Sequence, residues 1–168
     1  AYLATDHSGS ATRTAAQSLA KELGAHHHEA DIQAAVEAYH QIGGNLIGQT
    51  LSWSEPSHDV ALQNVQARIR GGLIWMLANM KGFLLLATSN KSEAAVGYTT
   101  MDGDTSGGIS PIADVPKSWV SAWVKWAADF HSISSLRSVS AIPATAELRP
   151  PDRMQTDEDD LMPYAILD

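Results

Sequence analysis

Apolar residues recur at intervals of three and four along most of the chain, which is the pattern of helices that bury one face. The longest stretch of this kind spans residues 58–80, and its apolar stripe consists of Leu62, Val65, Ile69, Leu73, Met76, Leu77 and Met80. Gly82 follows as a stop signal. Three further helices are predicted in the same way: from Ser10 to Gly24, from Asp31 onward and from Ser118 to Phe130.

Short segments before and between these helices predict strands, over residues 1–5, 26–30 and 83–88. The last of them, FLLLAT, is apolar almost throughout, which is typical of a strand buried on both faces. Helices that alternate with such strands predict a single α/β domain in which the helices pack on a parallel sheet. Ligands of such sheets bind beyond the carboxyl ends of the strands, and Thr88 stands at one such end.

The remaining segments predict loops. Residues 43–57 contain two adjacent glycines and Pro56, and the chain from Pro143 onward is first rich in proline and then acidic. The chain has 11 basic and 19 acidic residues, a net charge of −8. This balance repels polyanions and argues against nucleic acid as a partner. The lack of cysteine excludes disulfides and thiolate metal sites, and no apolar run reaches the ~18 residues that a membrane span needs.

Glu93 has two interpretations. Asn90 and Glu93 have the spacing of a capping box, in which the two side chains satisfy the first amides of a helix. A carboxylate at the start of a helix next to a strand end can instead hold a magnesium ion that bridges phosphates. The spacing alone leaves both open.

Three residues of the long helix, Asn64, Arg68 and Gly72, follow one another at intervals of four and therefore share one face. That face is either solvated or turned to a ligand. The adjacent glycines at 71 and 72 each cost a helix about 1 kcal/mol relative to alanine, so they need a structural or functional reason.

Other motifs carry weaker signals. The segment TSGGIS, residues 105–110, lacks the features of a phosphate loop, and the run His26–His28 makes a poor zinc site because alternate residues of a strand face opposite ways. A serine nucleophile at Ser8 or Ser10 beside His7 has no further partner. The stripe Trp119, Trp123 and Trp126 predicts packing in a core or an interface.

Four sequence blocks occur in a fixed order: QNVQARIRGGL, LATSNKSEAAVGYTTMDGD, GGISPIADVPK and PATAELRP…QTDEDDLMPYAILD. Together they resemble the synthetase domain of NAD synthetases, most closely the glutamine-dependent bacterial type. The resemblance covers residues 61–168, and the N-terminal third resembles the family only in its layout. It implies an incomplete adenine-nucleotide hydrolase-like fold of the ATP pyrophosphatase type, as one partial domain over residues 1–168.

The resemblance also implies an activity, the ATP-dependent amidation of deamido-NAD to NAD. ATP adenylates the nicotinate carboxylate with release of pyrophosphate, and ammonia then displaces AMP. In the glutamine-dependent enzymes, an amidase domain that these 168 residues do not contain supplies the ammonia. The family further implies a cytoplasmic homodimer with the long helix near the interface. From the charge and the apolar runs, we expect neither nucleic acid nor a membrane as a partner.

The family's motifs assign roles to particular positions. Three resemble its ATP contacts: Thr88, Lys117 and Thr145. Three resemble its deamido-NAD contacts: Asn64, Arg68 and Glu93. Glu93 and Thr145 also resemble positions that serve Mg²⁺. On this basis we favour the ligand interpretation for Asn64, Arg68 and Glu93.

The chain departs from the family where the pyrophosphate-binding loop Ser-Gly-Gly-x-Asp-Ser is expected, since that loop does not occur in residues 1–168. We therefore expect a domain truncated at both ends, and an isolated chain that is inactive or nearly so. Met101 and Gly108 replace a lysine and an aspartate of ammonia-dependent relatives. The alternatives are a non-catalytic nucleotide-binding or scaffold module and an ATP pyrophosphatase with another acceptor, which the NKSEAAVGY and TAELRP blocks disfavour.

Overall fold

The computed structural model describes residues 1–153 and 156–168. In that part of the chain it has two strands and eight α-helices: β1 (Tyr2–Ala4), α1 (Ser10–Glu22), β2 (Glu29–Asp31), α2 (Gln33–Ile47), α3 (Asp59–Lys81), α4 (Lys91–Val96), α5 (Lys117–Phe130), α6 (Ser134–Ser140), α7 (Asp157–Asp160) and α8 (Tyr164–Leu167). Short 3₁₀ turns lie at Pro56–His58 and Pro151–Arg153. No helix in these ranges is long and apolar enough to cross a membrane.

The sheet is parallel, as predicted. β1 pairs with β2 in a register that aligns Leu3 with Ala30, and α1 connects the two strands. The core lies where β1, α2 and α3 meet, and its buried residues are Leu3, Ile32, Val36 and Ile69. The predicted α/β layer arrangement is therefore present, with a sheet of two strands.

The helix predicted over residues 58–80 is present as α3, but its apolar stripe is buried over a shorter length than predicted. Leu62 and Ile69 are buried, whereas Met76, Leu77 and Met80 near the C-terminal end are exposed. Only the first half of the predicted apolar stripe therefore belongs to the core. Gly82 ends the helix with a φ of 65°, a left-handed conformation that glycine adopts at little cost.

The predicted loop at residues 43–57 begins too early. α2 continues through the glycine pair to Ile47, and Gly48 ends it with a φ of 68°. A side chain at Gly44 would lie 2.5 Å from the carbonyl oxygen of Gln49, so this glycine permits a close approach of the following loop. Close packing, rather than a break in the helix, explains this glycine.

The prediction of a strand buried on both faces at FLLLAT is wrong. Leu86 forms only an isolated parallel bridge with Ile109, through hydrogen bonds from Gly108 N to Leu85 O (2.8 Å) and from Ala87 N to Ile109 O (2.9 Å). Phe83 is 70% exposed. The segment pairs along one edge; Ala87 is buried and Leu85 half-buried, whereas Phe83, Leu84 and Leu86 are exposed.

The tryptophans of α5 do not belong to the core. Trp119, Trp123 and Trp126 are 71%, 63% and 50% exposed, and the buried face of the helix is formed by Ala127 and Ala128. The small alanines let α5 approach α6 closely, while the larger rings point outward. The core alternative is therefore wrong for these residues, and packing in an interface stays a prediction.

Sequence reasoning missed the helix α6, whose serine-rich sequence lacks a clear apolar stripe. The Glu22 carboxylate at the end of α1 accepts hydrogen bonds from the backbone amides of Ser134 (2.8 Å) and Ser135 (2.7 Å). Hydrogen bonds from the side chain and amide of Ser135 lower the pKa of Glu22 to about 2. A distant residue thus caps this helix.

The two glycines of α3 have different environments, which predicts opposite effects of substitution. A Cβ at Gly71 would lie 2.8 Å from both Asp102 O and Ser106 Oγ, whereas one at Gly72 would have no neighbour within 4 Å. We expect Gly71→Ala to lower the free energy of unfolding by about 1–2 kcal/mol because the loop must move. Gly72→Ala should raise it by about 0.5–1 kcal/mol through helix propensity.

Urea unfolding followed by circular dichroism measures both changes. Equal effects of the two substitutions would contradict the packing explanation for Gly71.

Candidate functional site

A cleft of about 1210 Å³ lies between α3, the segment around Leu86 and the C-terminal part of the chain. Five of the six residues assigned from sequence motifs line it: Asn64, Thr88, Glu93, Lys117 and Thr145. Arg68 is not among its lining residues. These five residues share one hollow, although the first and the last of them are 81 residues apart in sequence.

Glu93 lies at the start of α4, and its two carboxylate oxygens have different partners. Oε2 accepts a hydrogen bond from Asn90 N (3.2 Å) while Asn90 Oδ1 accepts one from Glu93 N (3.1 Å), so the predicted capping box is present. Oε1 forms an ion pair with Lys117 Nζ at 3.1 Å. The side chain therefore caps a helix and lines the cleft at once, and the two interpretations of the sequence are compatible.

Lys117 begins α5, and contacts with two other segments fix its position. Its backbone amide donates to Ser92 Oγ (2.8 Å), and its ammonium group lies 5.8 Å from the centre of the Tyr164 ring. Asp168 accepts from Ser118 N (2.8 Å) and from the Ser92 hydroxyl. The start of α4, the start of α5 and the C-terminal segment thus hold one another, and Lys117 projects from their junction.

Asn64 and Arg68 differ in position although both lie on α3. Asn64 Oδ1 accepts a hydrogen bond from Thr100 Oγ1 (2.9 Å) at the cleft wall. Arg68 is exposed and its Nε donates to the carbonyl oxygen of Met101 (3.1 Å). The solvated-face interpretation therefore describes Arg68, and a contact of Arg68 with deamido-NAD stays a prediction that would require this side chain to move.

Several cleft residues were missed from the sequence. The cleft-facing stripe of α3 includes Asn64, Ala67, Gly71 and Ile74, and its spacing of threes and fours was the available signal. Arg70 lies in this wall and donates from Nε to Leu3 O (3.0 Å). Sequence spacing alone did not show that Arg70, rather than Arg68, turns to the cleft.

Arg149 connects the C-terminal segment to α3. Its Nη2 lies 3.1 Å from Asp59 Oδ2, and its Nη1 lies 3.1 Å from Asp160 Oδ1. Tyr98 OH donates to Asp160 Oδ2 at 2.8 Å. These contacts are 90 and 11 residues apart in sequence, so no local motif could reveal them.

The cleft is less acidic than the chain as a whole. Four carboxylates line it, Glu93, Asp104, Asp157 and Asp160, against three cations, Arg70, Lys117 and Arg149. This near balance contrasts with the −8 of the whole chain. Lys117 is paired with Glu93, and Arg149 with Asp59 and Asp160, so an anionic ligand competes with these carboxylates for the positive charge.

Asp157 is the most enclosed of these carboxylates, with 6% of its surface exposed. Burial raises its pKa, against the effect of a hydrogen bond from Tyr164 OH (3.0 Å) and the attraction of Lys117. The pKa of Asp157 is therefore higher in the folded than in the unfolded chain. The free energy of unfolding falls as the pH rises from the unfolded-state pKa through the folded-state pKa of this carboxyl group.

The donor set of the cleft suits a magnesium ion that is shared with phosphates. No three His, Cys, Asp or Glu side chains of residues 1–153 and 156–168 form a group that could hold a metal by themselves. Magnesium commonly takes one or two carboxylates and completes its shell with water and substrate phosphates. The Glu93 carboxylate and the Thr145 hydroxyl, which both line the cleft, fit that mode.

The comparison with protein families decides the relationship. The family model for NAD synthase matches residues 2–168. The chain belongs to the NAD synthase family. A glutamine-dependent NAD(+) synthetase of Aquifex aeolicus is 41% identical over 169 residues, which cover 99% of this chain and 28% of that protein. The chain thus spans about a quarter of the length of this curated relative.

Two solved structures of the same family agree with the fold. The glutamine-dependent NAD(+) synthetase of Cytophaga hutchinsonii has a TM-score of 0.79 at 41% identity, over 90% of this chain and 25% of that one. The Acinetobacter baumannii enzyme, solved in complex with adenosine diphosphate, has a TM-score of 0.76 at 28% identity, over 84% of this chain and 26% of that one. The predicted fold type is therefore confirmed.

Proposed function

We propose that the cleft binds deamido-NAD and ATP, and that the chain takes part in the ATP-dependent amidation of deamido-NAD to NAD. The observation that carries this proposal is the convergence of five motif residues on one cleft that also contains three cations. Membership of the NAD synthase family and the adenosine diphosphate bound to the Acinetobacter baumannii relative support it.

The residue types suit the chemistry of adenylation. Transfer of the adenylyl group builds negative charge on phosphate oxygens, and fixed positive charge near those oxygens lowers the barrier. Lys117 supplies such a charge on the ATP side, where Thr88 and Thr145 offer hydroxyl groups. Mg²⁺ held by Glu93 and Thr145 would supply further neutralisation of the phosphates. Asn64 and Glu93 serve the deamido-NAD side, together with Arg68 if it turns toward the ligand.

The source of nitrogen and the oligomeric state belong to the same proposal. Ammonia released from glutamine is the attacking nucleophile in the glutamine-dependent relatives, and we propose the same for the protein in which this chain acts. A homodimer is proposed from the family resemblance. Because residues 1–168 contain no Ser-Gly-Gly-x-Asp-Ser segment, we expect the isolated chain to turn over deamido-NAD, ATP and ammonia far more slowly than the relatives.

Titration calorimetry with deamido-NAD tests the proposal through Glu93. We expect Glu93→Ala and Glu93→Gln each to weaken binding by about tenfold or more, since a charge-assisted contact contributes about 1.5–3 kcal/mol. The glutamine variant retains an acceptor for the capping box, so it separates the loss of charge from the loss of the cap.

Glu37→Ala is the matched control, because Glu37 is exposed on α2 and does not line the cleft. It should bind deamido-NAD as the unaltered chain does. Equal binding by the unaltered chain and both Glu93 variants would remove Glu93 from the site.

A further inference from the structure

The segment 145–149 forms part of the cleft wall, and the carboxylate of its central residue, Glu147, contacts the start of α1. Thr145, Ala146, Leu148 and Arg149 line the cleft, whereas Glu147 does not. Glu147 has a φ of 49°, in the left-handed region that a residue with a side chain seldom adopts. Glu147 lines a smaller hollow together with Thr145 and Arg149, and its carboxylate contacts Gly9 and Thr12 at the start of α1.

The Glu147 carboxylate lies on the N-terminus of α1. Its Oε2 accepts a hydrogen bond from Gly9 N (3.0 Å), and the Thr12 hydroxyl lies 3.0 Å from both of its oxygens. The residue before α1, Gly9, has no side chain to cap the helix. A residue distant in sequence therefore satisfies the first turn, where the helix dipole favours a negative charge.

The fit between Glu147 and Gly9 is close. A Cβ at Gly9 would lie 2.6 Å from Glu147 Oε1 and 3.3 Å from its carboxyl carbon. A side chain at position 9 would thus displace the carboxylate without changing any charge. Gly9 offers an independent way to release Glu147.

The neighbouring carbonyl group is anchored as well. Leu148 O accepts a hydrogen bond from Gln66 Nε2 (2.7 Å) and lies 3.0 Å from His7 Nδ1. Both of these partners lie outside the segment, on α3 and after β1. The contacts at Glu147 and Leu148 together fix the position of residues 145–149 in the cleft wall.

We propose that Glu147 is a positioning residue, which binds the first turn of α1 and thereby holds Thr145 in the cleft wall. The effect on ATP rests on the proposed function, in which Thr145 contacts the phosphates. Glu147 itself does not touch the ligand. Its loss should therefore affect the ATP side of the cleft more than the deamido-NAD side, which belongs to α3 and α4.

Ligand titrations on Glu147→Ala and Gly9→Ala test this selectivity. We expect both substitutions to weaken Mg·ATP binding by about five- to tenfold, comparable to the loss of one positioned contact, and to change deamido-NAD binding less than about twofold. Glu147→Gln keeps a hydrogen-bond acceptor and should restore most of the ATP affinity. Equal weakening of Mg·ATP and deamido-NAD binding would point to general loss of structure and would contradict the selective role of Glu147.

Glu22→Ala is the matched control, because Glu22 is also a carboxylate on a helix N-terminus but caps α6, outside the cleft. It should leave both affinities unchanged. The ¹⁵N–¹H spectrum gives a second measurement: the amide resonances of residues 145–149 should shift in Gly9→Ala, which lies outside the segment, and remain in place in Glu22→Ala.

Resonances of residues 145–149 that do not move in Gly9→Ala would overturn the anchoring proposal. So would Mg·ATP affinity that stays within twofold in both Glu147→Ala and Gly9→Ala. If the unaltered chain binds neither ligand, the proposed function fails, and the spectra still decide whether Glu147 anchors the segment.

Discussion

Replacing Lys117 with methionine is expected to weaken Mg·ATP binding by about 10- to 100-fold, since a hydrogen bond to a charged group contributes about 1.5–3 kcal/mol. Methionine preserves the length of the side chain and removes its charge. The change leaves Glu93 without its ion-pair partner in a place where only 15% of its side chain is exposed. Titration calorimetry at constant Mg²⁺ concentration measures the effect.

Lys125→Met is the control for this experiment, because Lys125 lies on the exposed side of the same helix and does not line the cleft. Its effect on Mg·ATP affinity should stay below about twofold, as expected of a distant surface charge screened by salt. Similar losses in both variants would show that overall charge, rather than Lys117 itself, controls nucleotide binding.

The second large effect is expected at Gln66, which is completely buried. Its side chain accepts from Thr5 Oγ1 (3.2 Å) and donates to Leu148 O (2.7 Å), so it joins β1, α3 and the C-terminal segment. Gln66→Met keeps the volume and removes these bonds. We expect the free energy of unfolding to fall by about 2–3 kcal/mol, because buried polar groups lose their partners.

Gln63→Met provides the comparison one turn earlier on α3. Gln63 is half-buried and donates to Asp59 Oδ2 (2.8 Å) at a position that water reaches. Its replacement should cost less than about 1 kcal/mol, since water can take over the lost bond. Urea unfolding curves that show equal costs for the two substitutions would contradict the special role of Gln66.

The elements that were predicted correctly depend on local signals. The boundaries of α3 follow from its apolar stripe and from Gly82, and the cap of α4 follows from the spacing of Asn90 and Glu93. Both features depend on residues that are close together in the sequence, so they can be recognised without knowledge of the fold.

The errors concern burial, which depends on what lies opposite an element. The run FLLLAT has the composition of a buried strand, yet it pairs only with Ile109 and its neighbour, and Leu84 remains 68% exposed. The tryptophans of α5 have helical spacing, yet alanines form the buried face. The composition of a segment shows that it could be buried, but it does not identify the element that would pack against it.

In the candidate site, too, local motifs were predictable from the sequence and contacts between distant residues were not. Motifs from the family pointed to six residues in four separate segments, and five of these residues line the cleft. The contacts that hold those segments together, such as Glu147 with Gly9 and Arg149 with Asp59, join positions 138 and 90 residues apart. Periodicity and spacing contain no information about such pairs.

If Glu93 holds Mg²⁺ as proposed, its contacts make metal and nucleotide binding interdependent. A divalent cation that coordinates Oε1 competes there with the ammonium group of Lys117, because Oε2 is already engaged by the backbone of Asn90. Displacing that ammonium group makes its charge available to phosphate oxygens nearby. By reciprocity, phosphate that attracts Lys117 raises the affinity of Glu93 for the cation, so the two ligands should bind cooperatively.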